Sequence, residues 1–205
     1  MDDLSKWSGK ASTQFKCNIV LVSGLDWNKD MSPWPCDGVM KKEKSFAGGA
    51  AMFLKELTED YVPAVEQWLK VKPTRRCLAG VSMSGLFALW AISRTAIFDR
   101  VASISGSLWF DGFAEWVEKT ALVPGARIYI TLGSKEKNAN DKRLATVEDC
   151  TKKTVAQLES KGFDVTFEMV SGTHFSPVAP RLDRALTVLM PYESVNDVPF
   201  FPEDI

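Results

Sequence analysis

The chain is short of histidine, has few cysteines and carries no excess of either charge, and each shortage removes a class of function. Of its 205 residues, one is histidine and four are cysteine: Cys17, Cys36, Cys77 and Cys150, widely spaced and without a C-x-x-C pair. Zinc sites draw four ligands from closely spaced Cys and His, so no metal site is expected. Two of the cysteines fall in strand-like runs, where a buried thiol acts as a small hydrophobe, and this fits a reducing compartment. Lys and Arg number 25 against 26 Asp and Glu, and the densest basic cluster, Lys41, Lys42 and Lys44, is interrupted by Glu43. Nucleic acid is therefore not an expected partner. The opening Met1-Asp2-Asp3-Leu4-Ser5-Lys6 lacks the apolar stretch of a secretory signal, and the longest clean apolar run, Leu86 to Ile92, is too short to span a bilayer. A cytoplasmic protein without membrane association is expected. The sequence contains no internal repeat and no low-complexity segment.

What is present suits a globular protein. Hydrophobic residues make up 45% of the chain, enough for a core, and the length suggests a single domain over residues 1–205. Phe15 to Ser23 reads as a strand buried on both faces, and Gly24 to Gly48 as a long irregular loop. Ala50 to Lys70 carries Phe53, Leu54, Leu57, Tyr61, Val65, Trp68 and Leu69 at helical spacing, with Pro63 placed to kink it. Then come a strand at Arg76–Val81, a buried helix at Ser84–Arg94, and a strand at Arg100–Ser105. A short helix at Gly112–Thr120, a strand at Arg127–Leu132, a long helix at Lys142–Lys161, a strand at Val165–Val170 and a helix at Val178–Met190 follow. Alternating strands and helices predict an α/β fold, a mostly parallel sheet covered by helices on both faces. The core should run from about 15 to 190. The tail Pro191–Ile205 reads as non-helical, docking on the body or on a second subunit, so a homodimer is left open.

The chemistry is expected at the string Leu78-Ala79-Gly80-Val81-Ser82-Met83-Ser84-Gly85, which lies where a strand must turn abruptly into a helix. Such a turn is a nucleophile elbow: the serine takes a strained, positive-φ conformation, and the residues two before and two after it must be tiny. Gly80 and Ser84 meet that demand for Ser82. Ser84 as nucleophile would put Leu86 at one of those places. A serine hydroxyl needs a base, and the single imidazole, His174, follows the last predicted strand in Ser171-Gly172-Thr173-His174-Phe175. The carboxylate that orients it should come from the loop after the fourth strand: Glu136 is the first candidate and Asp141 the second. Backbone N–H groups of Met83 and Leu25 are the expected oxyanion donors. Trp27, Trp34 and Trp109, in loops beyond strand ends, are expected walls of an apolar pocket.

These motifs resemble the esterase-D-like and enterochelin-esterase-like branch of the α/β-hydrolases. The resemblance runs from about Phe15 to Met190 and rests on A-G-V-S-M-S-G followed by LFALWAI, on FDRVASISGSLWF, on L-G-S-K-E and on G-T-H-F. It implies an α/β-hydrolase fold, with Ser82, Glu136 and His174 as triad and the segment Ser105 to Trp109, including Ser107, lining the substrate cleft. No cofactor is implied. Two departures stand out: Ser84 replaces the usual glycine, and the N-terminal antiparallel hairpin is absent or reduced. Residues Gly106 to Ala126 are too few for a lid domain, so an open site cleaving a small or protruding ester through an acyl-enzyme is expected. The competing readings are a catalytically silent ligand- or partner-binding protein built on the same fold, and a hydrolase of thioesters or peptides.

Overall fold

The computed structural model describes residues 4–39, 44–122 and 124–191. Its centre is a four-stranded, all-parallel sheet in the order β3 (Cys77–Val81), β4 (Arg100–Ile104), β5 (Arg127–Gly133), β6 (Asp164–Val170). Each strand lies beside the one before it in sequence. A right-handed crossover repeated in one direction lands every time on the same side of the sheet. The three connecting helices, α5 (Met83–Ala91), α6 (Phe113–Lys119) and α7 (Val147–Ser160), accordingly share one hydrophobic core with Val101, Ile128 and Ile130. The opposite face, carrying Ala102, Ile104 and Tyr129, is covered by α8 (Ala179–Leu189) through Leu182, Ala185 and Leu189. Side chains alternate along β4 and β5 with the period of a strand, and both faces are apolar, as a doubly covered parallel sheet requires. The α/β expectation is met, with helices on both faces.

The first expected strand is not formed. A helix, α1 (Leu4–Phe15), ends where that strand was expected to begin, and 18–23 run without ladder partners, leaving Val20, Leu21 and Val22 at 53%, 43% and 43% exposure. A β-branched run states a preference for the pleated surface, but a strand also needs a neighbour to accept its hydrogen bonds, and no ladder partner reaches this segment among the described residues. The sequence reading did not anticipate α1, whose inward side carries Leu4, Trp7 and Ala11. Leu4 and Trp7 pack against the α8 side of the sheet, and the Trp7 indole N–H donates to Asp183 Oδ1 at 2.8 Å.

The 24–48 segment, expected to be irregular, contains one helical turn, α2 (Trp27–Asp30), capped by the Asp26 side chain accepting from Asn28 N and Lys29 N. It also contains a two-residue antiparallel bridge, β1 (Pro35–Cys36) against β2 (Phe46–Ala47). Lys41, Lys42 and Glu43 of the basic cluster lie outside the described residues, as does the tail beyond Pro191. The long amphipathic helix divides into α3 (Ala50–Glu56), a π-helical turn (Leu57–Tyr61) and α4 (Val62–Leu69). Pro63 lacks the N–H that an α-helix would use there, and the backbone widens just before it. Past Leu57 the apolar face is covered less fully: Phe53, Leu54 and Leu57 are buried, Val62, Val65 and Leu69 are half-buried, and Tyr61 and Trp68 are exposed.

Candidate active site

The strand β3 ends in a forced turn. Ser82 adopts φ 58°, ψ −122°, outside the regions open to most L-residues, and hands the chain directly to α5. The approach is so close that a Cβ on Gly80 would fall 2.1 Å from Ser84 O. Only glycine fits there. Ser84, the departure from glycine on the other side, is accommodated by folding back: its Oγ accepts from Val81 N at 2.9 Å and donates to Val81 O at 2.7 Å. The substituted serine thus braces the turn, and its hydroxyl is committed to that role. Ser82 N also continues the sheet ladder by donating to Ile104 O at 3.1 Å.

The turn presents Ser82 Oγ to the loop that follows β6. His174 Nε2 lies 3.1 Å from Ser82 Oγ, and His174 Nδ1 lies 2.9 Å from Glu136 Oε2. An imidazole carrying its proton on Nδ1 donates to the carboxylate and accepts the serine proton at Nε2. The loops are latched to each other: Lys135 N donates to Gly172 O at 2.9 Å and Ser134 N to Val170 O at 2.8 Å. A Cβ on Gly133 would sit 2.7 Å from Gly172 O and 2.8 Å from Glu136 Oε1. The absence of a side chain there lets the acid loop and the histidine loop touch.

Glu136 is 7% exposed, and Oε1 accepts from Gly133 N at 2.7 Å and from Ser105 Oγ at 2.6 Å. Burial alone pushes its carboxyl up, but the hydrogen bonds from His174, Ser105 and Gly133 outweigh burial, and its pKa is lowered from the ordinary value. It is therefore an anion at neutral pH. Asp141 is used differently: Oδ1 accepts from Arg143 N at 2.8 Å and Leu144 N at 3.1 Å, capping the short 3₁₀ turn Leu144–Thr146. Of the two candidate acids, Glu136 is the one brought to the imidazole.

Ser107 joins the constellation. It is 1% exposed, its Oγ is 3.2 Å from Ser82 Oγ, and its N–H donates to Ser82 O at 3.0 Å. Met83 is the first residue of α5, directly after the elbow. Leu25 packs against the main core next to Gly24, whose φ is 78°. The tryptophans take separate places. Trp27 opens α2 and is half exposed. Trp34 donates from its indole to Asp111 O at 3.0 Å and meets Phe110 edge-on. Trp109 lies under the Arg143 guanidinium, 5.2 Å from its ring centre, on the wall of a cavity of about 370 Å³ between the 108–114 segment and α7. None of Ser82, Glu136 and His174 lines that cavity.

Two residues escaped the sequence reading of the acid. Ser105, with φ 47°, and Arg181, 6% exposed, are both buried beside Glu136. The signal for Arg181 was an arginine beside the inward stripe Leu182, Ala185 and Leu189 of an amphipathic helix, where a charge requires a partner.

The four cysteines are free thiols, and burial drives the pKa of Cys77 up to about 12. No group of side chains that could hold a metal ion occurs among the described residues, and no described helix is long and apolar enough to cross a membrane.

Comparison with known proteins places the chain in a family. The chain is 30% identical over 138 residues to Uncharacterized protein YbbA of Bacillus subtilis, an alignment covering 65% of this chain and 55% of that relative. The chain thus spans about half the length of the curated relative it matches. Among solved structures, the siderophore hydrolase EstA from Aspergillus nidulans superposes with a TM-score of 0.66 at 19% identity, over 91% of this chain and 77% of that one. The BES protein from Bacillus cereus gives a TM-score of 0.68 at 18% identity, over 93% and 81%. The enterobactin and salmochelin hydrolase IroE gives 0.67 at 20%, over 92% and 78%. At these identities the likeness is one of fold. The sequence from residue 8 to 187 matches the family described as "Putative esterase", and on that match the chain belongs to this esterase family.

Proposed function

We propose that the protein is a serine hydrolase that cleaves carboxylic esters through an acyl-enzyme. The observation that carries this reading is the unbroken hydrogen-bonded chain from Ser82 Oγ through His174 to Glu136, with spacings of 3.1 and 2.9 Å. Ser82 Oγ attacks the substrate carbonyl as its proton passes to His174 Nε2, and the C–O bond to the alcohol breaks as that proton is returned to the leaving oxygen. Water then attacks the acyl-enzyme, His174 again taking the proton, and the carboxylic acid and Ser82 are released. Glu136 holds the imidazole with Nε2 toward Ser82 and stabilises the imidazolium. The N–H of Met83, at the amino end of α5, and that of Leu25 receive the negative oxygen of the tetrahedral intermediate.

Ser107, touching Ser82, and the exposed ring of Phe175, edge-on to His174, border the substrate; Trp34 and Trp109, expected as pocket walls, pack instead around Asp111 and Arg143. No cofactor is used. Four free thiols support a cytoplasmic setting. The esters of the proteins named siderophore hydrolase and enterobactin and salmochelin hydrolase belong in the first substrate panel.

The test is labelling by a fluorophosphonate probe together with hydrolysis of an activated acetate ester, in the wild type and in Ser82→Ala and His174→Ala. Labelling and turnover lost in both variants are expected. An unlabelled wild type would instead make this a binding protein, and labelling that survives Ser82→Ala would move the nucleophile elsewhere.

A further inference from the structure

Arg181 stands in the first turn of α8, on the helix's buried side, and it belongs to none of the steps above. A buried guanidinium is costly unless each donor finds an acceptor and the charge a counter-charge. Here both are supplied by the loops that carry the reacting groups. Arg181 Nη2 donates to the carbonyl of Thr173, the residue before His174, at 3.0 Å. Arg181 Nη1 donates to Ser105 Oγ and stands 3.6 Å from Glu136 Oε1. Ser105 Oγ in turn lies 2.6 Å from Glu136 Oε1. One planar fork therefore touches the end of β4, the loop after β5 and the loop after β6.

We infer that Arg181 is a positioning residue for the hydrolytic site, acting through Ser105 and Thr173 to hold Glu136 and His174 in their working orientation. The inference rests on the triad reading above and deepens it. A hydroxyl has one proton to give and lone pairs to receive. With Arg181 donating into the Ser105 oxygen, that proton is directed to Glu136 Oε1, and Oε1 is filled by Ser105 and Gly133 N. Oε2 is then left to His174 Nδ1. A carboxylate bound in this way cannot rotate to offer the imidazole a different oxygen. The same guanidinium pins the peptide just before His174, so both partners of the Glu136–His174 contact are referred to a single rigid group. Its positive charge also offsets the carboxylate in a site where Glu136 is only 4% exposed at its side chain. A lysine, as a single point donor on a flexible stem, cannot reproduce the two-pronged contact.

The test uses the full chain and the activated ester with Arg181→Met, Arg181→Lys, Ser105→Ala and Glu136→Gln, singly and with Arg181→Met combined with Glu136→Gln. Arg181→Met is expected to lower kcat by about 10- to 100-fold with KM changed by less than about 3-fold, and Arg181→Lys to recover part of the loss. In the Glu136→Gln background the same Arg181→Met change should cost less than about 3-fold, because the group it acts through is already disabled. The single histidine of the chain provides a second readout. The far-downfield proton signal of a Nδ1–H bound to a carboxylate can come only from His174, and it should be present in the wild type and lost or moved upfield in Arg181→Met. If Arg181→Met does not fold, Ser105→Ala reports instead: it keeps the guanidinium and the Thr173 contact, and it should shift the same proton signal and lower kcat while sparing KM. Equal losses from Arg181→Met in both backgrounds, or an unchanged His174 proton signal in whichever variant folds, would overturn the inference. Activity that survives Ser82→Ala would instead overturn the triad reading on which it stands.

Discussion

Two adjacent parallel strands, β3 and β4, end in the same way and are put to opposite uses. Ser82 follows β3 with φ 58° and Ser105 follows β4 with φ 47°, and each donates its N–H to the neighbouring strand, to Ile104 O and Thr131 O respectively. Both are non-glycine residues held in a sparsely populated conformation. At Ser82 the strain projects a half-buried hydroxyl to His174. At Ser105, 1% exposed, it drives the hydroxyl inward between Arg181 and Glu136. Strain by itself does not make a nucleophile; what a positive-φ serine becomes is decided by the acceptor or base that meets its oxygen.

The strongest test of that contrast is on activity. Ser82→Ala should lower kcat by about 10⁴-fold or more without loss of folded structure, measured with an activated ester and circular dichroism. Ser105→Ala should cost no more than about 100-fold. Equal losses at the two positions would erase the distinction. Next in size is the acid: Glu136→Gln should reduce turnover by about 10³- to 10⁴-fold, while Asp141→Asn, a cap on a 3₁₀ turn, stays within about 3-fold. A large loss at Asp141 would reassign the carboxylate.

Stability sharpens the comparison at the elbow. Gly80→Ala places a methyl group 2.1 Å from a backbone oxygen, so urea unfolding should show a loss of about 3 kcal/mol or more, or no folded protein. Ser84→Ala, which removes the brace on Val81, should cost about 1 kcal/mol. If Ser84→Ala is the more harmful, the close approach at Gly80 has been misjudged.

The smallest effect is pH-dependent. The pKa of Glu136 is lowered in the folded protein, so its ionisation contributes stability that is present above the ordinary carboxylate range and is lost as pH falls through the depressed value. The difference in unfolding free energy between wild type and Glu136→Gln should shrink on acidification below the ordinary carboxylate range of about pH 4.5. A difference that grows toward acid would reverse the direction assigned to Glu136.

Much of this arrangement could be read in advance, for local reasons. Gly80, Ser82 and Ser84 lie within five residues, and a strand-to-helix bend imposes its size limits through the chain's own geometry. His174 was legible because it is the only imidazole and follows the last strand. Glu136 could be narrowed to the loop after β5 but not separated from Asp141, because a few residues of loop separate a carboxylate facing the imidazole from one capping a turn. The run Asn18-Ile19-Val20-Leu21-Val22 misled, since pairing is a property of two segments and only one was in view. Pro63 announced an interruption of the helix, but not that it would be a π-helical turn with the stripe beyond it only half-buried. Arg181 went unread and Ser105 was read as cleft lining, whereas its hydroxyl is buried against Glu136 and Arg181, because their partner Glu136 lies 45 and 31 residues from them along the chain.

The sequence by itself determined the alternation of strands and helices, the place of the elbow and the identity of the lone base. Each follows from periodicity, from steric limits acting over a few residues, or from there being one candidate. The tertiary structure alone decided which carboxylate meets the imidazole, that a second positive-φ serine follows the next strand, and which arginine is buried beside the carboxylate. Those outcomes depend on parallel strands bringing the ends of β3, β4, β5 and β6 to one edge of the sheet, where groups remote in the chain come within hydrogen-bonding distance.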